Sequence, residues 1–403
     1  MKKTICLILS VFILIFPMRA SANEKAEIYP YDTVISEFWF EEAAAEYKSN
    51  GEAKALLLME FSTGRVLFAE NETEHLPLAS VTKVISTLLI VEAIDEGRIT
   101  LQDTVVVSEY AASMGGSQIF LEAGEEMSVE DLLKSLVVAS ANDATVALAE
   151  HLYGSEETFV QAMNDKARSL GCENSNFVNT NGLPAENHYS CALDIAIITR
   201  ELMKHEMIFN YTTIWMDTIR NGSFGLANTN KLVRFYKGAT GMKTGFTDEA
   251  KYCLSGTAER DGMQLIAVVL GAETSNARFS AAKGLLDYGF ANYSVVNPPL
   301  PELQPITVTR GVKKQAKIEA EQISLLSEKG DKSEIETKYY IAESVTAPIT
   351  AGQEVGYVSY LRNGEEIARS VIKITESVDE ISYKSLICEI FRALLFKYQS
   401  AVI

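Results

Sequence analysis

The sequence predicts an α+β domain, followed by a small all-β domain and a terminal amphipathic helix. Strand-like segments at Ala55–Phe61 and Val66–Ala69 are separated from a second set, Tyr252–Ala258 and Met263–Leu270, by a long stretch of helical texture. Helices inserted within an antiparallel sheet define the α+β class. Asn297-Pro298-Pro299-Leu300-Pro301 then interrupts the chain, because proline lacks the amide that helices and central strands require. Beyond it come short alternating stretches, such as Ile306–Thr309 and Glu354–Leu361, until the C-terminal segment turns helical.

In chain order, Ala55–Phe61 and Val66–Ala69 form a hairpin around Ser62-Thr63-Gly64-Arg65. From Val81 to Glu96 the chain is apolar on every side, which suits a buried helix, and Gly97 stands where a C-terminal cap belongs. Val129–Val138 and Ala144–Leu152 are helix-like, with Ser140-Ala141-Asn142 in the break between them. Cys191–Lys204 is a further helix candidate. Asp261-Gly262 joins the strands Tyr252–Ala258 and Met263–Leu270 in a tight hairpin, and a helix around Ala277–Tyr288 closes the region. Asn363-Gly364 predicts another hairpin in the β domain.

The two ends carry addresses. Lys2 and Lys3 precede an apolar run from Ile5 to Phe16, and Ala20-Ser21-Ala22 has the small-x-small form of a cleavage site. Residues 1–22 therefore read as a secretory signal peptide, too short to favour a membrane span. At the other end Ile381, Leu386, Ile387, Ile390, Phe391, Leu394, Leu395 and Tyr398 fall at helical spacing, with Lys384, Arg392 and Lys397 making the segment locally basic. That predicts an amphipathic helix over residues 379–403 lying in a membrane surface, the alternative being a helix docked on the β domain. The expected organisation is thus a leader at 1–22, a catalytic domain at 23–297, a β domain at 302–376 and the anchoring helix at 379–403.

The formal charge is −18, and losing Lys2, Lys3 and Arg19 with the leader makes it about −21. Such acidity argues against a nucleic-acid partner. Cys172, Cys191, Cys253 and Cys388 remain after the leader, and a chain of this length needs no staples. Four separate thiols are expected, with Cys253 buried in a strand. His75, His151, His188 and His205 show no metal-ligand spacing. No metal and no cofactor are expected.

Three short motifs carry the chemistry: Ser80-Val81-Thr82-Lys83, Ser140-Ala141-Asn142 and Lys243-Thr244-Gly245. A serine hydroxyl needs an adjacent base to become a nucleophile. Residues three apart share a helix face, so Lys83 stands beside Ser80 at the start of the buried helix. Each motif alone is weak. S-x-x-K is expected about once or twice in a chain of ordinary composition, and Ser280–Lys283 and Ser370–Lys373 also match it. The ordered set is specific, because only Ser80 opens a buried helix and only Lys243-Thr244-Gly245 matches K-[ST]-G. The set is the toolkit of a serine acyl-transferase that uses lysine in place of histidine.

On these motifs the chain resembles the serine-type D-alanyl-D-alanine carboxypeptidases, the low-molecular-mass penicillin-binding proteins. Met114-Gly115-Gly116-Ser117-Gln118, Phe177-Val178-Asn179, Asn181-Gly182-Leu183, His188-Tyr189-Ser190 and Leu285-Leu286-Asp287-Tyr288-Gly289-Phe290 extend the likeness. Leader, catalytic domain, β domain and amphipathic tail follow the family's layout. Cys191 and Leu193 depart from it, standing where the family more often has a small or hydroxylated residue and an arginine.

The resemblance implies a serine β-lactamase/DD-peptidase-like fold, an antiparallel sheet flanked by helices with a helical subdomain. It implies a place at the outer face of the cytoplasmic membrane or in the cell-wall space. The substrates would be peptidoglycan stem peptides ending in D-Ala-D-Ala, with β-lactams as acylating inhibitors. Ser80 would be the nucleophile and Lys83 the general base, its pKa depressed by burial and by Lys243. Ser140 would relay the proton to the leaving D-alanine, and Asn142 would bind substrate and orient Lys83. Lys243 and Thr244 would hold the terminal carboxylate. Gly245 would leave room for substrate along the strand, and the backbone amide of Phe246 would join that of Ser80 in an oxyanion hole.

Three other readings compete. A β-lactamase on the same fold needs a deacylating glutamate, and no E-x-x-L-N-like segment lies between Ser140 and Lys243. Endopeptidase action on cross-links is a second. A non-catalytic wall-binding protein is a third, with no reason to keep all three motifs.

Overall fold

The structure, a computed structural model, describes residues 51–331 and 333–382, with Tyr47, Ser49 and Ile387. The predicted leader therefore lies outside the described residues, as does nearly all of the predicted C-terminal helix.

A five-stranded antiparallel sheet forms the frame. Its strands are β1 (Ala55–Glu60), β2 (Val66–Glu70), β3 (Ala239–Thr247), β4 (Lys251–Arg260) and β5 (Met263–Ala272), in the spatial order β2-β1-β5-β4-β3. Leu56-Leu57-Leu58-Met59 is a continuous apolar run because both faces of β1 are covered. Leu57 and Met59 pack on one side with Ile266, Val268 and Leu270 of β5. Leu56 and Leu58 pack on the other with Leu265, Ala267 and Val269. This period of two assigns each residue to one core. Asp261 and Gly262 both have positive φ, 51° and 77°, the conformation that the predicted tight hairpin requires.

On one face lies α1 (Lys83–Asp95), buried from Lys83 to Val91 whichever way its side chains point. Its polar members are accommodated individually: the Ser86 hydroxyl donates to the Thr180 carbonyl at 2.6 Å, and that of Thr87 to the Lys83 carbonyl at 2.7 Å. Around it stand α2 (Val129–Lys134), α3 (Asn142–Tyr153) and α4 (Ala192–Met203). On the opposite face α5 (Ser275–Asn292) seats Phe279, Leu285, Leu286 and Phe290 against the sheet.

Two predicted helices are shorter than their apolar patterns. The regular part of the first begins at Lys83, because Ala79–Thr82 is a tighter 3₁₀ turn. The helix expected over Val129–Val138 is α-helical only to Lys134; Ser135–Ala139 widens into a π turn, and Ser140 then turns left-handed at φ 64°. Asn142 accordingly opens α3.

After α5 the chain enters β6 (Tyr293–Val296), which pairs antiparallel with β7 (Leu325–Glu328) across the proline-rich segment. Leu326 packs into the core beneath α5. The β domain is thereby attached by a two-stranded ladder as well as by its linker. Its own core gathers Ile306, Val308, Ile318, Val358, Tyr360, Ile372 and Ile374. Asn363 and Gly364 have the positive φ values of the expected hairpin turn. Residues 378–381 are extended: Val378 and Glu380 form bridges to Ile349 and Gly311, and the Ile381 amide donates to the Arg310 carbonyl at 2.8 Å. The helix predicted from residue 379 thus has no helical turn there. Among the described residues, no helix is long and apolar enough to cross a membrane.

Because α1 is enclosed on all sides, truncating its centre leaves a cavity. Leu88→Ala is expected to cost about 2–5 kcal/mol in denaturant unfolding; a loss below about 1 kcal/mol would contradict the packing described.

Candidate active site

Three separate segments converge on the N-terminal end of α1. Ala79, at φ 48°, turns the chain so that Ser80 opens the helix. Gly182 presses on this turn from the loop between the helix Glu156–Ser169 and α4. A Cβ there would lie 1.9 Å from the Ala79 carbonyl oxygen, and Gly182 has φ 82°, so no other residue fits. On the other side Gly245 of β3 makes an equally close approach. A Cβ at Gly245 would meet the Leu78 carbonyl at 2.6 Å and the Ser80 amide nitrogen at 2.9 Å. The missing side chain was expected to clear a path for substrate; its space is filled by the serine's own turn.

Lys83 is fully buried. Its Nζ lies 2.6 Å from Asn142 Oδ1, 2.8 Å from the Asn181 carbonyl and 3.0 Å from Ser80 Oγ. The Asn142 amide has a determined orientation, because its Nδ2 donates to the Gly115 carbonyl at 2.6 Å. Both Asn142 Oδ1 and the Asn181 carbonyl can only accept. A neutral amine has two N–H bonds and one lone pair, so donating to these two oxygens leaves the lone pair for the Ser80 hydroxyl. Burial, followed by repulsion from Lys243, holds the Lys83 pKa well below its ordinary value, and Asp143 opposes them weakly.

Asp143 is itself buried and fixes the adjoining loop. Its carboxylate accepts from the amides of Ile119 and Leu121 at 3.1 Å each. The Asn142 amide donates to the Ser117 carbonyl at 2.6 Å, tying the same loop to the start of α3.

Ser140 is buried beside this network, and its Oγ has no hydrogen-bond partner among the described residues. The hydroxyl expected to relay a proton therefore makes no bond to Lys83 or Ser80. A buried unpaired hydroxyl is costly and rare, and a binding partner absent from the protein is one explanation for it.

Lys243 is buried in β3, and its Nζ donates to the Thr244 carbonyl at 3.0 Å. Burial and then the charge of Arg278 lower its pKa to about 7. The Thr244 hydroxyl donates to Thr229 Oγ1 at 2.6 Å. Arg278, from α5, is buried behind the strand and donates to the carbonyls of Gly245 at 2.9 Å and Cys253 at 3.1 Å. Phe246 is half exposed, its ring against Tyr252 at 4.4 Å. Because β3 is the sheet's edge, one side of its backbone has no neighbouring strand among the described residues.

His188 braces the site without titrating. Its Nδ1 accepts from the Val178 amide at 3.0 Å, so its Nε2 carries the proton toward Thr82 Oγ1 at 2.8 Å. Burial pushes its pKa down to about 4, and it stays neutral. Cys172, Cys191 and Cys253 are free and buried, with burial raising their pKa values; Cys388 lies outside the described residues. Among the described residues, no group of three or more His, Cys, Asp or Glu is placed to hold a metal ion.

All eight residues singled out in the sequence come from these converging segments. Four contributors were not singled out for chemistry. Asn181 acts through a carbonyl, which its side chain does not advertise, and Asp143 acts through loop amides. Arg278 and Thr229 lie on other segments than the strand they serve, in no motif. The Asn181-Gly182-Leu183 stretch was legible only as a likeness.

A desolvated lysine beside a helix-start serine, with a second buried hydroxyl and a cationic edge strand, defines a serine acyl-transferase of the S-x-x-K class. Residues 41–274 match the family described as D-alanyl-D-alanine carboxypeptidase, and residues 302–380 match the penicillin-binding protein 5 C-terminal domain. The chain is 44% identical over 340 residues to D-alanyl-D-alanine carboxypeptidase DacF of Bacillus subtilis, covering 82% of this chain and 87% of that protein. Penicillin-binding protein 5 from Haemophilus influenzae superposes with a TM-score of 0.71 at 31% identity, over 83% of this chain and all of that one. Penicillin-binding protein D2 from Listeria monocytogenes, in its ampicillin-bound form, matches with a TM-score of 0.55 at 30% identity, over 59% and 98% of the two chains. The chain belongs to the D-alanyl-D-alanine carboxypeptidase family of penicillin-binding serine peptidases.

The lysine pair makes a direct prediction. Nitrogen-detected NMR titration should give Lys83 a pKa well below that of free lysine, and Lys243→Met should raise it by removing the second-largest cause. An unchanged value in the variant would leave burial as the whole explanation.

Proposed function

We propose that this chain, a D-alanyl-D-alanine carboxypeptidase by family, removes the terminal D-alanine from peptidoglycan stem peptides through an acyl-enzyme on Ser80. The observation that carries the reading is the buried Lys83 Nζ, held by two oxygens that can only accept and 3.0 Å from Ser80 Oγ; in its neutral form the amine has a lone pair left for the serine proton.

In the proposed mechanism Lys83 takes the Ser80 proton as Oγ attacks the penultimate D-alanine carbonyl. The amides of Ser80 and Phe246 receive the oxyanion; Gly245 holds β3 close enough to the serine turn for both to act on one oxygen. Ser140 takes the Ser80 proton from Lys83 as it gives its own to the departing nitrogen, which returns Lys83 to its neutral form, a role supported by the buried and unpartnered Ser140 hydroxyl. The carbon–nitrogen bond breaks, free D-alanine leaves, and water hydrolyses the ester with Lys83 again as base. Asn142 orients Lys83 and binds the substrate backbone. Lys243 and Thr244 hold the terminal carboxylate.

A β-lactam would enter the same site as an acylating inhibitor, consistent with the ampicillin-bound relative. We further assign residues 1–22 to a leader, 23–297 to catalysis, 302–376 to a spacer domain and the segment beyond residue 382 to an anchor on the outer face of the cytoplasmic membrane. The basic residues Lys384, Arg392 and Lys397 support the last assignment.

Wild type should release D-alanine from a peptide ending in D-Ala-D-Ala and form a slowly decaying penicillin adduct, and Ser80→Ala should do neither. Rapid penicillin turnover without D-alanine release would make the protein a β-lactamase instead.

The rate should fall on the acid side as Lys83 gains a proton and loses its lone pair. Loss of the Lys243 charge above about pH 7 should raise KM for carboxylate-ended peptides. A pH-independent KM would remove Lys243 from carboxylate binding. The anchor assignment expects the mature chain to co-sediment with anionic vesicles, and a chain ending at residue 382 to stay in the supernatant.

A further inference from the structure

Thr229 lies in none of the motifs, yet it connects two of them. Its amide donates to the Val138 carbonyl at 3.4 Å, at the π turn that ends in Ser140, and its hydroxyl receives the Thr244 proton at 2.6 Å. The strap that carries it is rigidly held. Asn228, buried, donates through Nδ2 to the carbonyls of Thr212 at 3.2 Å and Ile214 at 2.7 Å. Its Oδ1 accepts the Asn230 amide at 2.8 Å, and the buried Asn230 accepts the Leu232 amide through Oδ1 at 3.0 Å. Between two buried asparagines, Thr229 is exposed, with its hydroxyl aimed at the one on the edge strand.

We propose that Thr229 is a positioning residue for carboxylate recognition, setting the direction in which the Thr244 hydroxyl donates. The proposal rests on the reading of Lys243 and Thr244 as the carboxylate site.

In the free protein the Thr244 proton points to Thr229, so Thr244 has nothing to donate to an incoming anion. A hydroxyl carries one proton and two lone pairs, so the pair can reverse. Thr229 then donates to Thr244 while Thr244 donates to the carboxylate. The second arrangement is a chain of two bonds running toward a negative charge, in which each donor strengthens the next. No covalent bond changes; two hydroxyl rotors turn. Without the Thr229 hydroxyl, Thr244 loses both its resting acceptor and the donor that polarises it. The effect should therefore appear only with substrates that end in a carboxylate.

The test uses two thioester acyl donors identical except that one leaving group ends in a carboxylate and the other in a carboxamide. They are assayed with wild type, Thr229→Val and Thr229→Ser. Valine keeps the shape without the hydroxyl, and serine keeps the hydroxyl.

With Thr229→Val, KM for the carboxylate donor should rise about three- to tenfold, the range for one neutral hydrogen bond, with kcat little changed. Its kcat/KM for the carboxamide donor should stay within about twofold of wild type, and Thr229→Ser should restore the carboxylate preference. Equal losses on both donors would overturn the proposal in favour of a general structural role, as would a Thr229→Val enzyme with an unchanged carboxylate preference. A wild type that does not distinguish the two donors would instead refute the carboxylate assignment on which the proposal rests.

Discussion

The arrangement depends on keeping the amine of Lys83 dry. An ammonium removed from water without a counter-charge in contact is strongly disfavoured, and the amine gives up its proton before the fold gives way. The enclosure is what α1 supplies. A surface helix would present Lys83 to solvent, where it would be charged at neutral pH and unable to fill the base role proposed for it. Burial on every side of α1, which first reads as a packing property, is a chemical requirement of the residue at its start.

The remaining parts follow from that burial. A buried neutral amine still has two N–H groups to satisfy, so two oxygens must be brought to it. They come from Asn142 and Asn181, 39 residues apart in the chain and on different elements. Asn142 is oriented by the Gly115 carbonyl, and the neighbouring Asp143 holds the loop in which Gly115 sits through the amides of Ile119 and Leu121. Asn181 is placed by Gly182, which fits against Ala79 for want of a side chain. His188, kept neutral, ties Thr82 to the same loop. Around the amine itself orientation is transmitted through amide and carbonyl groups, with the Asp143 carboxylate one step back holding the loop, and the cations Lys243 and Arg278 serve the edge strand.

The parts of this architecture legible in the sequence were those that repeat a simple physical rule. The continuous apolar runs of β1 and α1, the Asp261-Gly262 and Asn363-Gly364 turns and the proline-rich break all announce themselves through local periodicity or backbone geometry. The side chains of the candidate site stood out because Ser, Lys and Asn are conspicuous at those spacings. Illegible were contributions made by backbone atoms or by distant residues. A carbonyl such as that of Asn181 is present at every position, and nothing local to Arg278 or Thr229 says which strand each will meet. The π turn before Ser140 was hidden too, since Ser135–Ala139 has the composition of ordinary helix.

The contact between Gly245 and the serine turn bears on how such an enzyme can escape an inhibitor. Strand β3 and the backbone of Ser80 touch with no side chain between them, so neither can be displaced without the other. A substitution that shifted the strand to exclude a β-lactam would move the amide of Ser80, the proposed nucleophile, and with it the pocket proposed for the natural peptide. Resistance by remodelling this strand is therefore self-defeating. Room for change lies in side chains that do not form this contact, such as the exposed ring of Phe246.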